Sequence, residues 1–353
     1  MCNSHGSGKA ESGSNYVTTI VPADSQNILE HLEPNSPSVM TSIEPTSEKM
    51  SSVVLVTGAT GLLGRQVFNT FKHSGCFVVG QGYSRANPPT ILKADLENKD
   101  DIQRILDEAK LTRTSIGAAN RSPDLCEQDP EKARRVNVEA TRTLAEEASS
   151  RGAFLIYIST DYVFPGKEGE APYETDAETN PPNLYGQLKR DGEVAVLEAT
   201  KETGLGLVLR VPVLYGPSDN NSESAVNCLI DAVWKSQTPE SSVKMDDWAQ
   251  RYPTNTEDVA RVCRDIVIKY IKERTRLPQQ PHILQFSSED RMTKYEICEK
   301  FAEVLGLPLD RMIRNKQGNE PGGVQRPYDT HLSTKGLKDL GIDVRTTDFV
   351  AWW

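Results

Sequence analysis

The fold is decided by the stretch Val53-Val54-Leu55-Val56-Thr57-Gly58-Ala59-Thr60-Gly61-Leu62-Leu63-Gly64. Its first four residues form a short, largely β-branched apolar run, which predicts a buried parallel strand. The apolar pattern of residues 65–72 predicts a helix directly after it. Between the two, Gly58 allows a sharp turn and Gly61 leaves room for a ligand at the backbone. Gly64 lets the helix pack closely on the strand.

A glycine turn that ends in a helix N-terminus presents free N–H groups and a positive dipole end to phosphates. We therefore predict a dinucleotide site whose contacts are Gly58, Thr60, Gly61, Leu62, Leu63 and Gly64. The alternative is a tight turn without a ligand. The spacing is GxxGxxG, which is typical of extended short-chain dehydrogenase/reductases. Strands and helices alternate after this stretch, so we predict an α/β fold with a Rossmann-type doubly wound parallel sheet.

The kind of dinucleotide is indicated at the end of the second strand, Phe77–Gly80. NAD sites usually place a carboxylate there to bind the ribose hydroxyls. Residues 81–85 are Gln, Gly, Tyr, Ser and Arg, with no acid among them. Arg85 is suited to a 2′-phosphate instead, which favours NADP over NAD. The alternative is that Arg85 is an ordinary surface arginine.

The fourth strand is the weakest element of the predicted sheet. A central parallel strand should be a continuous apolar run, but residues 111–119 read LTRTSIGAA. A buried, unpaired Arg113 would cost several kcal/mol. We expect either a locally weakened sheet or an error in the sequence at this point. Arg121, in the loop that follows, is positioned to reach a phosphate.

The chemistry of the site is carried by Thr160, Tyr185 and Lys189. Tyr185 and Lys189 are four residues apart on a predicted helix and share one face. A phenol in this arrangement can exchange a proton with a carbonyl, a nearby ammonium lowers its pKa, and Thr160 can hydrogen-bond the substrate oxygen. Asn137, on the helix after Asp129, has two open interpretations: a support for the site, or an ordinary surface residue.

The chain divides into three parts by composition and pattern. Residues 1–50 are rich in polar residues and proline and are predicted to be a disordered tail. Residues 51–216 are predicted to be the dinucleotide-binding domain and residues 217–353 a smaller α+β lobe on the substrate side. Two loops, 251–254 and 325–327, either face the pocket between the lobes or cap a domain interface.

Composition excludes several functional classes. The formal net charge of −10 argues against a general binder of nucleic acid or of anionic membranes. The six cysteines are scattered without a CxxC pair and the five histidines show no metal-ligand spacing, so we predict no metal site. Reduced thiols are typical of the cytoplasm or the nucleus. No apolar run is long enough to span a bilayer.

The motifs together resemble those of extended short-chain dehydrogenase/reductases of the dTDP-4-dehydrorhamnose reductase type. Within that group the chain is most similar to the regulatory beta subunits of methionine adenosyltransferase. The matching stretches lie between Val53 and Ile342 and are VLVTGATGLLGR, GAFLIYISTDYVF, NLYGQLKRDGE, LRVPVLYG, MDDWAQRYPTNTEDVARVCR and MTKYE.

The resemblance implies a protein that binds NADP and docks on the catalytic subunit of methionine adenosyltransferase, tuning S-adenosylmethionine synthesis. It also implies cofactor contacts at Thr60 to Leu63, Ser84, Arg85, Ala86, Asp95, Leu96, Ala118, Arg121, Tyr185 and Leu214. From the chemistry of the Tyr185–Lys189 pair, the Lys189 ammonium can in addition bind the nicotinamide ribose. The same motifs imply an inherited catalytic triad of Thr160, Tyr185 and Lys189. The alternative function is an active NADPH-dependent reductase of a nucleotide-sugar ketone.

Two features depart from the family pattern. One is the polar fourth strand. The other is the end of the chain at Trp353, where the family continues with a further helix and a tail that would bear on docking if it contacts the catalytic subunit. We expect Trp352 and Trp353 to be exposed there, which would be unusual for a complete fold.

Overall fold

The computed structural model describes residues 18–21, 53–109, 114–116, 123–240 and 242–353. Its strands are β1 Thr18–Val21, β2 Val53–Thr57, β3 Phe77–Gly82, β4 Ile91–Lys93, β5 Thr114–Ile116, β6 Phe154–Thr160, β7 Gly206–Val211, β8 Leu214–Tyr215, β9 Val243–Asp246, β10 Thr254–Asn255, β11 Ile283–Gln285 and β12 Met312–Asn315. Its α-helices are α1 Leu62–His73, α2 Lys99–Glu108, α3 Pro123–Gln128, α4 Pro130–Arg134, α5 Ala140–Ser150, α6 Leu184–Ala199, α7 Leu229–Ser236, α8 Thr256–Lys272, α9 Lys294–Leu305, α10 Lys335–Asp339 and α11 Phe349–Trp352.

The main sheet has eight strands in the order β11-β7-β6-β1-β2-β3-β4, with β5 also paired to β6. Its described pairings are parallel except those of β1, which runs antiparallel to both β2 and β6. The predicted α/β fold with a parallel sheet and crossover helices is therefore confirmed. The dinucleotide turn lies at the carboxyl end of β2, near the middle of this sheet.

The sheet corrects one prediction about the N-terminal part of the chain. Thr18–Val21 were assigned to a disordered tail, but they form β1 in the main sheet. All four of these residues are β-branched, which favours a strand and is hidden by the polar composition of their surroundings. The remainder of residues 1–50 lies outside the described residues. Of the predicted fourth strand, only Thr114–Ile116 are described, paired in parallel with Phe154–Ile156.

Two apolar layers cover the two faces of the sheet. Val54 and Val56 of β2 point into one layer, which they share with α1 and α8. Leu55 points to the opposite face and joins the layer formed by α2, α5 and α6. Successive side chains of a strand alternate between faces, so a continuous apolar run is what a doubly covered strand requires.

Residues beyond 216 contribute both to the main sheet and to a separate apolar cluster. The helix α8 packs on α1 in the core of the main sheet, and β11 extends that sheet beside β7. The pairs β8–β10 and β9–β12 and the helices α7 and α9 instead surround a third apolar cluster. The sequence patterns of α8 and β11 do not indicate which sheet these elements join.

The expectation that Trp352 and Trp353 are exposed is wrong. Both side chains are half-buried against the third apolar cluster. The ring of Trp353 lies 4.7 Å from that of Phe301 between centroids, and the ring of Trp352 lies 5.3 Å from that of Tyr215. These aromatic contacts tie the last helix, α11, to the rest of the C-terminal part.

A buried ion pair fastens α6 to the sheet. Arg210 of β7 and Glu193 of α6 are almost fully buried, with Nε–Oε1 and Nη2–Oε2 distances of 2.9 and 2.7 Å. Ser159 of β6 donates a further hydrogen bond to Glu193. Arg210 is therefore a structural residue, and the pair fixes the helix that carries Tyr185 and Lys189.

We predict that Arg210→Met lowers the free energy of unfolding by about 3 kcal/mol, because it leaves the Glu193 carboxylate buried without its partner. The matched control is Arg142→Met. Arg142 forms an exposed ion pair with Glu198, 3.1 Å apart, and losing such a pair should cost about 0.5 kcal/mol. Urea unfolding of both variants measures the difference. Equal losses would show that the buried pair does not hold α6.

Candidate functional site

The glycine turn after β2 has the geometry that a phosphate-binding turn needs. Gly58 adopts a positive φ of 59°, which favours glycine. Gly61 is the N-cap of α1, without a side-chain cap and without an acidic residue in the first turn. A Cβ at Gly64 would lie 2.1 Å from the carbonyl oxygen of Gly58. The helix N-terminus therefore sits directly behind the turn, with its N–H groups available to an anion.

The end of β3 packs tightly against this turn. A Cβ at Gly80 would meet the Ala59 side chain at 2.7 Å, and one at Gly82 would meet the Thr60 side chain at 3.2 Å. The buried side chain of Gln81 accepts a hydrogen bond from the Gly58 N–H at 2.9 Å and donates one to the Ala94 carbonyl at 2.8 Å. Gln81 thus fixes the turn, a role that sequence reasoning missed because it looked there only for a carboxylate.

The other predicted contacts near this turn are placed unevenly. Leu62 and Leu63 are buried, with Leu63 in the core, so their backbone N–H groups rather than their side chains face the turn. Ser84 is exposed beside Arg85, and Leu96 is buried after β4. The carboxylate of Asp95 accepts the Glu97 N–H at 2.9 Å. The remaining members of the predicted set are the half-buried Thr60, Ala86 and Leu214, and Ala118 and Arg121, which lie outside the described residues.

Arg85 does not stand alone at the exit of β3. It and Arg65, in the first turn of α1, both contact Asp219 and Glu223, and we call these four residues the arginine–carboxylate cluster. Asp219 Oδ2 lies 2.9 Å from Arg65 and 3.1 Å from Arg85. Burial raises the pKa of Glu223, but hydrogen bonds from the two arginines outweigh it and hold that pKa below its ordinary value. Sequence reasoning had found only Arg85.

These features fit a dinucleotide. The turn offers backbone N–H groups and close approach for a diphosphate, and the guanidinium group of Arg65 contacts the turn at the Thr60 carbonyl, with Arg85 beside it in the same cluster. No cluster of side chains suited to a metal ion occurs in the part of the chain that the structure describes.

The structure brings the predicted catalytic residues to one place, at the junction of β6 and α6. Burial raises the pKa of Tyr185 above its ordinary value, and a hydrogen bond with Thr160 offsets only part of that rise. The Thr160 hydroxyl donates to Asp161 Oδ1 at 2.9 Å. Asp161 is buried, which raises its pKa, and it also accepts a hydrogen bond from Thr330 at 2.7 Å.

Lys189 is turned inward beneath this site. Its side chain is almost fully buried, its ammonium donates to the Ile158 carbonyl at 2.6 Å, and it lies 4.0 Å from the centre of the Tyr157 ring. Burial lowers the pKa of Lys189 to about 7, with Glu193 offsetting part of the change. A lysine that readily loses its charge stabilises a phenolate less than a fully charged one, and burial is the largest influence on the pKa of Tyr185.

Asn137 is not an ordinary surface residue. It is fully buried in the π-helical turn Arg135–Glu139, and its amide points toward Cys126 Sγ at 4.0 Å. A Cβ at Gly192 of α6 would lie 2.8 Å from the Asn137 carbonyl oxygen. The turn therefore packs directly on the helix that carries Tyr185 and Lys189, which favours the interpretation of Asn137 as a support for the site.

The two polar loops of the C-terminal part do approach this region. Arg251 is buried, and its charge offsets part of the burial effect on the pKa of Tyr162, whose ring stands edge-on to that of Tyr185 at 6.0 Å. The Gln325 carbonyl accepts a hydrogen bond from Asn183, the N-cap of α6, at 2.8 Å. Both loops therefore border the face of the sheet where the catalytic residues meet.

Comparisons with known proteins place these features in a family. The family model described as RmlD substrate binding domain matches residues 52–348. The chain is 41% identical over 292 residues to methionine adenosyltransferase 2 subunit beta of Xenopus tropicalis, a match that covers 83% of each chain.

Among the described residues, none of the helices combines the length and apolar character that crossing a bilayer requires.

Two solved structures show the same fold. The dTDP-4-dehydrorhamnose reductase of Bacillus anthracis, in complex with NADP, aligns with a TM-score of 0.66 at 20% identity and covers 87% of this chain and 97% of its own. The UDP-glucose 4-epimerase of Thermus thermophilus, in complex with NAD, aligns with a TM-score of 0.64 at 20% identity and covers 84% and 94%. These two proteins of the same fold bind NADP and NAD, respectively. At 20% sequence identity, the similarity establishes the fold alone.

We predict that the free energy of unfolding rises with pH between about 7 and 8.5, by about 1 kcal/mol per pH unit, because of Lys189. In this range the buried lysine of the folded chain loses its proton while the lysine of the unfolded chain keeps it. The unfolded state then binds more protons, so raising the pH favours folding. Above about pH 8.5 cysteine thiols begin to titrate and obscure the effect.

Urea unfolding across this pH range measures the slope, which Lys189→Met should abolish. Lys201→Met is the matched control, because Lys201 is exposed. A slope that survives in Lys189→Met would refute the assignment to this lysine.

Proposed function

Because the chain belongs to the RmlD substrate binding domain family, and within it to the family of methionine adenosyltransferase 2 beta subunits, we propose that it is an NADP-binding regulatory subunit. Its partner in this proposal is the catalytic subunit of a methionine adenosyltransferase, whose S-adenosylmethionine synthesis it modulates. We also propose that the protein acts in the cytoplasm or the nucleus. Free thiols are typical of these compartments, and the described free cysteines are Cys76, Cys126, Cys228, Cys263 and Cys298.

The observation that carries the proposal is the extent of the match to the beta subunits. The similarity at 41% identity covers 83% of both chains, so it spans the dinucleotide turn and most of the C-terminal part together. A shared nucleotide fold alone would match mainly the first of these. The structure is built as one unit across both parts, since α8 and β11 complete the main sheet.

NADP as the cofactor is supported by charge. The exit of β3 presents Arg85, the first turn of α1 adds Arg65, and no acid occurs between residues 81 and 85 to favour NAD. In this proposal the Lys189 ammonium binds the nicotinamide ribose and Tyr185 also contacts the cofactor.

A role without proton transfer is supported by the catalytic residues themselves. The Thr160 hydroxyl already bonds to groups of the protein, Asp161 and Tyr185, and would have to exchange one of these bonds for a bond to a substrate carbonyl. Burial raises the pKa of Tyr185, and the lowered pKa of Lys189, about 7, leaves this lysine only partly charged at neutral pH and so less able to counter that rise. The arrangement suits cofactor binding better than rapid proton transfer, for which a pKa near the working pH is best.

We predict that the full chain forms a stable complex with a purified methionine adenosyltransferase catalytic subunit at micromolar concentrations and changes the kinetics of S-adenosylmethionine synthesis. Size-exclusion chromatography measures the complex, and initial rates at varied methionine concentration measure the change. An equal amount of heat-unfolded chain serves as the control. Absence of a complex at these concentrations, with the rates unaltered, would refute the regulatory role.

The second candidate is an NADPH-dependent reductase of a nucleotide-sugar ketone, favoured by the hydrogen bond that joins Tyr185 to Thr160. In this role Tyr185 would give its proton to the carbonyl oxygen while hydride reaches the carbon.

For this candidate we predict NADPH oxidation in the presence of dTDP-4-dehydrorhamnose, followed by absorbance, that falls at least about a hundredfold in Tyr185→Phe, since that change removes the general acid. Tyr295→Phe is the control, because Tyr295 is buried in the C-terminal cluster. If no sugar ketone supports turnover by the unaltered chain, the reductase candidate is removed and the regulatory role keeps its own test.

A further inference from the structure

The arginine–carboxylate cluster joins parts of the chain that are distant in sequence. Arg65 and Arg85 flank the glycine turn, whereas Asp219 and Glu223 lie 134 to 158 residues further along, between β8 and α7. Nothing in the local sequence of the carboxylates indicates a cofactor. Their position in the fold brings both of them to the guanidinium groups of Arg65 and Arg85.

The cluster is built into the structure and is not a loose surface contact. The Glu223 side chain is only 6% exposed, and it accepts from Arg65 through Oε2 and from Arg85 through Oε1. Arg65 also donates to the Thr60 carbonyl in the glycine turn at 2.8 Å. Asp219, which is mostly exposed, donates its backbone N–H to Glu223 Oε2 at 3.4 Å. One carboxylate thus spans both arginines in the way that a phosphate group does.

Charge limits what the cluster can accept. Its two arginines and two carboxylates carry no net charge. A phosphomonoester brings about 1.5 to 2 negative charges at neutral pH and three strong acceptor oxygens. If both carboxylates stayed in place, the phosphate would meet two like charges at close range, which is unfavourable. The arginines can therefore bind such a phosphate well only when Glu223 and Asp219 give up their contacts.

We propose that Arg65 and Arg85 together form the receptor for the 2′-phosphate of NADP, and that Glu223, assisted by Asp219, is an internal competitor for the same two guanidinium groups. The proposal rests on the proposed binding of NADP and adds to it a second phosphate ligand, Arg65, and a built-in control of affinity. A dinucleotide without the 2′-phosphate leaves the cluster intact.

The exchange has a consequence beyond the cofactor. The carboxylates belong to residues 219–223, which lead into α7 of the C-terminal part, and Asn221 in this segment donates to Asp231 of α7 at 2.7 Å. When the phosphate takes the arginines, this segment loses its strongest link to the glycine turn. Binding of a 2′-phosphate therefore frees residues 219–223 and changes the contacts of the C-terminal part, whereas binding of NAD leaves these contacts unchanged.

The opposing interpretation is a permanent structural cluster. In that case neutralising Glu223 would loosen the fold and would not improve phosphate binding. The two interpretations predict opposite signs for the affinity of a 2′-phosphate ligand, so affinity is the deciding quantity and catalytic activity is not needed.

The test titrates the full chain with adenosine 2′,5′-bisphosphate and with 5′-AMP, which lacks the 2′-phosphate, using calorimetry at fixed ionic strength. In Glu223→Gln we expect the affinity for the bisphosphate to rise about tenfold, and in Asp219→Asn, an exposed position, about threefold. Arg65→Met should weaken it about tenfold. The affinity for 5′-AMP should change less than about twofold in each variant, since it lacks the charge in question.

Glu198→Gln is the matched control, because Glu198 also pairs with an arginine, Arg142, away from this site. Thermal unfolding checks that each variant is folded, and the exposed Asp219→Asn provides the test if Glu223→Gln is not. Hydrogen exchange of residues 219–224 supplies a second readout, which should increase with the bisphosphate and not with 5′-AMP.

An unchanged or lower bisphosphate affinity in folded Glu223→Gln and Asp219→Asn would overturn the competition while leaving NADP binding by the unaltered chain in place. A chain that binds neither NADPH nor the bisphosphate, in any of these variants, would instead remove NADP from the proposed function and the competition with it.

Discussion

The structure depends on how closely α1 approaches the turn that follows β2. A side chain at Gly64 would place its Cβ 2.1 Å from the Gly58 carbonyl oxygen, so only a residue without Cβ permits this contact. The contact sets the direction of the helix and brings its N-terminus behind the turn. It also fixes Arg65, the next residue, whose guanidinium then reaches the Thr60 carbonyl and the arginine–carboxylate cluster. The backbone geometry of the turn and the placement of Arg65 therefore follow from a single packing constraint.

A second constraint acts on α6. The buried pair of Glu193 and Arg210 holds this helix on the sheet one turn beyond Lys189. With the helix held there, Lys189 lies against β6, where it donates to the Ile158 carbonyl and is shielded from water. Burial then lowers the pKa of Lys189 and raises that of Tyr185, so the same packing that keeps the two residues in place also weakens them as a proton-transfer pair.

The fold could be predicted from sequence where periodicity and special residues act locally. The run from Val53 to Gly64 contains its own strand, turn and helix signals, and the structure has all three. What could not be predicted depends on contacts between distant segments. Thr18–Val21 enter the sheet from a polar stretch, α8 returns to the core of the main sheet, and Glu223 meets Arg85 across 138 residues. Neither amino-acid composition nor the periodicity of apolar residues indicates which distant segments come into contact.

The same limit explains why the cofactor prediction was incomplete. The rule that an acid near the end of β3 selects NAD considers only residues close in sequence. In this structure carboxylates do stand beside Arg85, but they arrive from residues 219 and 223 and contact the arginines rather than a ribose. A carboxylate that binds a guanidinium competes with phosphate, whereas one that binds ribose hydroxyls selects against it. The effect of a carboxylate on the choice between NADP and NAD therefore depends on the group that it contacts. That group can be identified only in the folded chain.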